Sequence, residues 1–271
     1  MIILLGIHFS AWQFSFFNPI FAKHFFTVFA LYQKEIRNFL NSFIGYVVIL
    51  VFLVITGLFL WVFPGTQYNI PESGYAGIDG LFSLAPWVFM FLVPAVTMRS
   101  LSEEKKSGTL ELLLTRPLTE MNIVLAKYFA GMTLVLFSLV PTLLYYISVR
   151  MLASPPGNVD SGAVWGSYIG LFFLAAGYTG IGIFASSVTE NQVVAFIIAV
   201  FLSFFFFAGL DSLSGLEFFS KFDLVLQTLG ISSHYASISR GVVDTRDLLY
   251  FISLSAFFIY LSHLSIRSRK W

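Results

Sequence analysis

The sequence predicts an all-α integral membrane protein: six transmembrane helices preceded by an interfacial amphipathic helix, with a short cytosolic helix between spans two and three. Three observations predict it. Only 11% of the 271 residues are charged, against about 25% in a soluble chain, and the mean hydropathy is +0.85. Six apolar runs approach the roughly 20 residues that a helix needs to cross a bilayer. They are residues 45–63, 81–98, 128–149, 164–186, 193–210 and 248–266. The basic residues between these runs also sort to one side. If the N-terminus is cytosolic, eleven Lys and Arg fall inside and four (Arg150, Lys221, Arg240 and Arg246) fall outside. Both termini are therefore expected in the cytosol.

Taken in order, residues 1–28 fit no standard segment. Residues 1–17 are apolar but lack a basic leader region and a small-residue cleavage site, which argues against a signal peptide, and Asn18–Pro19 interrupts them. The reading is a non-native extension upstream of a start near Val28, or a disordered segment. In residues 29–44, Phe29, Tyr32, Ile36, Phe39, Leu40 and Phe43 share one helical face, and Lys34, Arg37, Asn38 and Asn41 share the other. That pattern predicts a helix in the plane of the bilayer surface, with Lys34 and Arg37 toward the headgroups. Pro86, Pro94 and Pro141 fall inside spans and predict kinks. The fourth span is rich in small residues, including Gly166-x-x-x-Gly170, which predicts close helix packing within the subunit or at a dimer seam. The 211–247 connection holds short apolar patches at 216–219 and 224–229, predicted to be re-entrant or interfacial pieces at the outer face. Asp244 and Asp247 are spaced as an N-cap and its partner at the third helical position, at the start of the last span. The outer cluster His234, Arg240, Asp244, Arg246 and Asp247 offers contacts for a substrate or partner, although a solvated face with a helix cap explains most of it.

The chain's one long charged segment is RSLSEEKKSGTLELLLTRPLT, residues 99–119. Residues 99–106 are expected to extend the second span as a polar helix that ends at Gly108 in a left-handed cap. Thr109 is then expected to cap a short helix over 110–116, with Glu111 near its positive N-terminus. Leu110, Leu113 and Leu114 would form its apolar face, Pro117 would stop it, and Thr119 with Asn122 would open the third span.

Several function classes lack the residues they require. There are no cysteines, hence no thiolate chemistry, and the four histidines form no ligand-spaced pair. No GxxxxGK[ST] is present, so any ATP hydrolysis belongs to another chain. As the spans are drawn, the first five contain no acid, base or histidine, which argues against proton relays and intramembrane hydrolysis. A net charge of +1 gives no sign of a nucleic-acid partner.

Arg99 and Glu103 through Leu113, followed by Arg116-Pro117-Leu118, resemble the linker after the second span of ABC-2 type permeases. The surrounding layout resembles that family over residues 29–267, which marks 29–271 as the permease domain. HYASISRGVVDTRDLLYF, residues 234–251, is similar to the gliding-motility-associated permease branch. The resemblance implies a non-catalytic permease of the bacterial inner membrane that pairs with a second permease chain as a homodimer or heterodimer. ATP and Mg would be bound by a partner ATPase, and a membrane-anchored accessory subunit would complete the complex. The ATPase would dock on a coupling helix through Glu103, Glu104, Thr109, Leu110, Glu111, Leu113, Leu114 and Arg116. A membrane anchor for a motility or secretion assembly, moving no solute, is the alternative from a different class.

Overall fold

The computed structural model describes residues 19–115, 118–155, 157–215 and 223–268, and among them every regular element is helical. Six stretches are long and apolar enough to span a bilayer: Gly45–Val62, Asp79–Lys106, Glu120–Leu152, Ser161–Val188, Gln192–Ser214 and Thr245–Arg267. The chain is a multi-pass helical membrane protein.

Helix α1 (Pro19–Leu40) opens the described chain. Its proline stands at the first helical position, where the missing N–H is no loss. The expected boundary at residue 28 therefore falls inside a helix, while residues 1–18 lie outside the described residues. The side of α1 that packs is rotated from the predicted apolar face. Leu31 and Glu35 are buried and Phe29 is exposed, because the helix lies along α6 rather than facing away from protein. A turn at Asn41 and Ser42 leads into α2 (Phe43–Gly57), which continues as a π-helical turn over Leu58–Val62.

Helix α3 (Asp79–Thr97) runs unbroken through Pro86 and Pro94. The short helices α4 (Ser102–Lys106) and α5 (Thr109–Leu114) follow it. The third span is α6 (Glu120–Leu139) and α7 (Leu143–Leu152), joined by a 3₁₀ turn at Val140–Thr142. Pro141 sits in that turn, at the predicted interruption. This span begins eight residues earlier than the hydropathy run suggested.

At the centre of the bundle is α8 (Ser161–Val188), packed against α3, α6, α9 (Gln192–Phe204) and α13 (Thr245–Arg267). Small residues let these neighbours approach. Gly177 faces Leu254, Gly180 faces Ser255 and Phe258, and a side chain at Gly182 would run into Thr97. The Gly166 and Gly170 pair is occupied within the subunit: Gly241 lies against the first and Ile238 against the second.

At the end opposite α4 and α5, the fifth span passes through a π-helical turn (Phe205–Gly209) into α10 (Leu210–Ser214). Helices α11 (Asp223–Leu229) and α12 (Ile231–Ile238) follow. The patch at 216–219 lies outside the described residues. The patch at 224–229 is α11, with Leu224 and Val225 exposed, whereas α12 buries Ile231, Tyr235 and Ile238. Tyr235 donates a hydrogen bond to the Phe82 carbonyl oxygen at 2.7 Å, and burial pushes its phenol well above the usual range. This connection therefore folds back onto the ends of the spans.

Candidate functional site: a gripped linker

Helix α3 ends at Thr97, and the chain turns through residues 98–101. The first amides of a helix have no partner within it. Here Ser186, near the end of α8, supplies one: its Oγ accepts from Leu101 N–H at 2.9 Å and Ser102 N–H at 3.0 Å, and donates to Met98 O at 3.1 Å. The next turn of the linker is held on both sides. The Lys105 ammonium donates to the carbonyl oxygen of Ser187, where the carbonyls at a helix C-terminus carry partial negative charge. Ser265 of α13 donates to the same oxygen at 2.8 Å.

Glu104, one residue earlier, points the other way. Its carboxylate lies 2.9 Å from Lys127 Nζ, and the same ammonium lies 3.3 Å from Glu35 of α1. Lys34 stands 3.9 Å from both carboxylates. The Lys127 side chain is 1% exposed. Burying an ammonium alone carries a large desolvation cost, which the two carboxylates offset here. This corrects the expectation that the first five spans are free of ionisable groups. Lys127 sits inside α6, in a span of which the sequence reading took only the part from Tyr128 onward.

Gly108 adopts the predicted left-handed conformation, with φ +70°. It is also the N-cap of α5, the place expected for Thr109. Thr109 is the first helical residue, and its hydroxyl meets Ser107 Oγ at 2.9 Å. Leu110 is fully buried, in one cluster with Leu31, Leu101, Ile123, Ile183 and Ile266, and Leu113 and Leu114 pack against that cluster. Thr109, Glu111 and Leu112 face outward, with Leu112 66% exposed. Thr119, expected to open the third span, is the N-cap of α6 and accepts from Asn122 N–H at 3.3 Å. Glu103 pairs with Arg99 at 3.1 Å on the surface. Arg116 and Pro117 lie outside the described residues. Between α1 and the linker is a cavity of about 550 Å³ whose charged lining is Lys34, Glu35, Arg99, Glu103, Glu104 and Lys127. Arg37 is exposed on the same helix.

The opposite-end cluster divides. His234 Nδ1 lies 2.8 Å from Asp247 and its Nε2 lies 2.9 Å from the Thr228 carbonyl oxygen, while its ring stacks on Tyr250. Ser237 donates to the second Asp247 oxygen at 2.6 Å. Asp247 is thus turned into the fold rather than back to the cap. Asp244 alone caps α13, accepting from Arg246 N–H at 2.9 Å. Arg240 donates to the Ala236 carbonyl oxygen, and Arg246 is exposed. These contacts tie α11 and α12 to α13.

Sequence reasoning missed Glu35, Lys127, Ser186 and Ser187. For the first there was a signal: Val28, Leu31, Tyr32, Glu35 and Phe39 follow helical spacing, so Glu35 interrupts an apolar stripe. A carboxylate in that position needs a buried cation.

The fold and linker define a polytopic membrane protein with a short helix anchored between two spans, one side buried and the other exposed. A family model described as ABC-2 family transporter protein matches residues 62–233, well over half of the chain and all of the linker. The chain belongs to that family and is a membrane permease domain of an ABC-2 transporter. A comparison with curated proteins finds no match.

Proposed function

We propose that this chain is the membrane half of an ATP-driven complex and that a separate ATPase, binding ATP and Mg itself, docks on α5. The observation that carries this reading is the division of α5 between anchor and tip: Leu110 is fully buried, and Thr109, Glu111 and Leu112 face out. A helix anchored this way can receive a partner and pass its movement on. Glu104 and Leu110 point inward, so the docking surface rests on Glu103, Thr109, Glu111 and the outer parts of Leu113 and Leu114, joined by Leu112. Arg116, which lies outside the described residues, joins the proposed docking residues only through its match to the family motif. The excess of Lys and Arg at this end supports placing α5 in the cytosol and the chain in the bacterial inner membrane.

A second permease chain and a membrane-anchored accessory subunit complete the proposed assembly. The 234–251 segment supports membership of the gliding-motility branch. A second reading, a membrane anchor that moves no solute, is favoured by one observation. A transport path along the spans needs free polar groups, and the third-span hydroxyls are engaged internally: Ser138 with Val135 O, Thr142 with Tyr168, Tyr145 with Leu53 O, Tyr146 with Ser161 and Ser148 with Leu144 O.

Glu111→Lys tests the docking surface. The variant is expected to insert and fold normally, because residue 111 is exposed, and to lose co-purification of the ATPase. Wild-type recovery of the ATPase would remove α5 as its site.

A further inference from the structure

The linker's two inward-facing charges carry an inference that rests on the docking reading and extends it. Adjacent residues of α4 grip different parts of the bundle. Glu104 reaches Lys127 in α6, 2.9 Å away, and through it Glu35 in α1. Lys105 reaches the Ser187 carbonyl oxygen at the end of α8, the same oxygen that Ser265 of α13 engages. Ser186 holds the start of α4 to α8 through two amides. One five-residue helix thus joins the docking helix to α1, α6, α8 and α13.

We propose that Glu104, Lys105 and Lys127 are positioning residues for the transport cycle. They fasten α4 to the spans so that a push on α5 moves α1, α6 and α8 together instead of bending the linker. The geometry favours this over surface docking, because the three side chains are 14%, 9% or less exposed and Gly108, directly before α5, is a flexible point. Without a rigid α4 on the bundle side of that hinge, movement of α5 would be lost there.

The full-length chain in nanodiscs provides the first test. Glu104→Gln keeps the side chain's size and leaves the Lys127–Glu35 pair, so the protein folds. Glu103→Gln, the same chemical change on the neighbouring exposed residue, is the control. Glu104→Gln is expected to speed amide hydrogen exchange about tenfold in α4 and α5, in the first turns of α6 and around Glu35, while Glu103→Gln changes none of these beyond its own turn. Faster exchange confined to α4 would overturn the grip.

The second test uses the complex with the ATPase. A spin-label pair at exposed positions Gln67 and Val243 reports any movement at the far end on adding ATP and vanadate. Glu104→Gln is expected to capture the ATPase like wild type and to lose most of the ATP-dependent distance change, with Glu104→Asp restoring part of it. Loss of capture would make Glu104 a docking residue and overturn the proposal. A full distance change in Glu104→Gln, or none in wild type, would also overturn it. If wild type captures no ATPase, the docking reading fails, and the exchange experiment alone decides whether the grip exists.

Discussion

Lys127 shows how one residue can hold an otherwise apolar bundle to its charged end. Its ammonium is out of water and meets two carboxylates from different elements, and Lys34 adds a second positive charge at 3.9 Å from each. Removing one member of a buried pair costs more than forming the pair ever returned, because the remaining charge stays desolvated. Lys127→Met leaves Glu35 and Glu104 facing each other with only the half-exposed Lys34 ammonium, 3.9 Å from each. It is expected to destabilise the fold by about 3–5 kcal/mol, read as an earlier unfolding midpoint in detergent titration. Lys106→Met, on the exposed neighbour of Lys105, is expected to stay within about 0.5 kcal/mol of wild type. Lys127 was hard to read from sequence for a physical reason. Hydropathy treats every Lys as a residue that belongs in water, so it moved the start of the third span to Tyr128. A partner on α1, 92 positions away, overrides that preference.

Among the elements, α8 and α12 show where sequence patterning succeeds and where it stops. The six spans were readable because about 20 apolar residues have few other uses in a chain. The turn at Gly108, the Thr119 cap and the interruption at Pro141 follow from local chemistry that needs no tertiary partner. Two features depended on tertiary contacts and were not readable. The packing side of α1 is set by α6, and the outer connection folds in on Gly166 and Gly170. Their spacing announced a close approach but could not say that the approaching group is Gly241 and Ile238 of the same chain. The contact is specific enough to test. A side chain at position 170 would overlap Ile238, so Gly170→Leu must displace α12. The expected cost is about 1–3 kcal/mol, seen as faster proteolysis near residues 231–241 with exchange at Thr109–Leu114 unchanged. An effect confined to the linker end instead would mean that the glycine face serves another partner.

At the scale of the whole molecule, the two ends of the bundle differ in kind. The end carrying α4 and α5 concentrates charge, with part of it buried. The opposite end is closed by α12 and by the His234, Ser237 and Asp247 contacts. Burial changes the bookkeeping for orientation, because Lys105 and Lys127 are held inside the fold and no longer count as loop charges. Setting them aside in the sequence count leaves nine Lys and Arg in the segments assigned to the linker side against four in the others, which still favours a cytosolic linker. The chain has no cysteine, so a single introduced thiol reports its own side of the membrane. Gln67→Cys, in the exposed connection after the first span, is expected to react with an impermeant maleimide on cells stripped of their outer membrane. Leu112→Cys is expected to react only after the inner membrane is opened. The reverse pattern would place α5 on the side where no ATP is supplied, and the docking reading and the transmission built on it would then fail together.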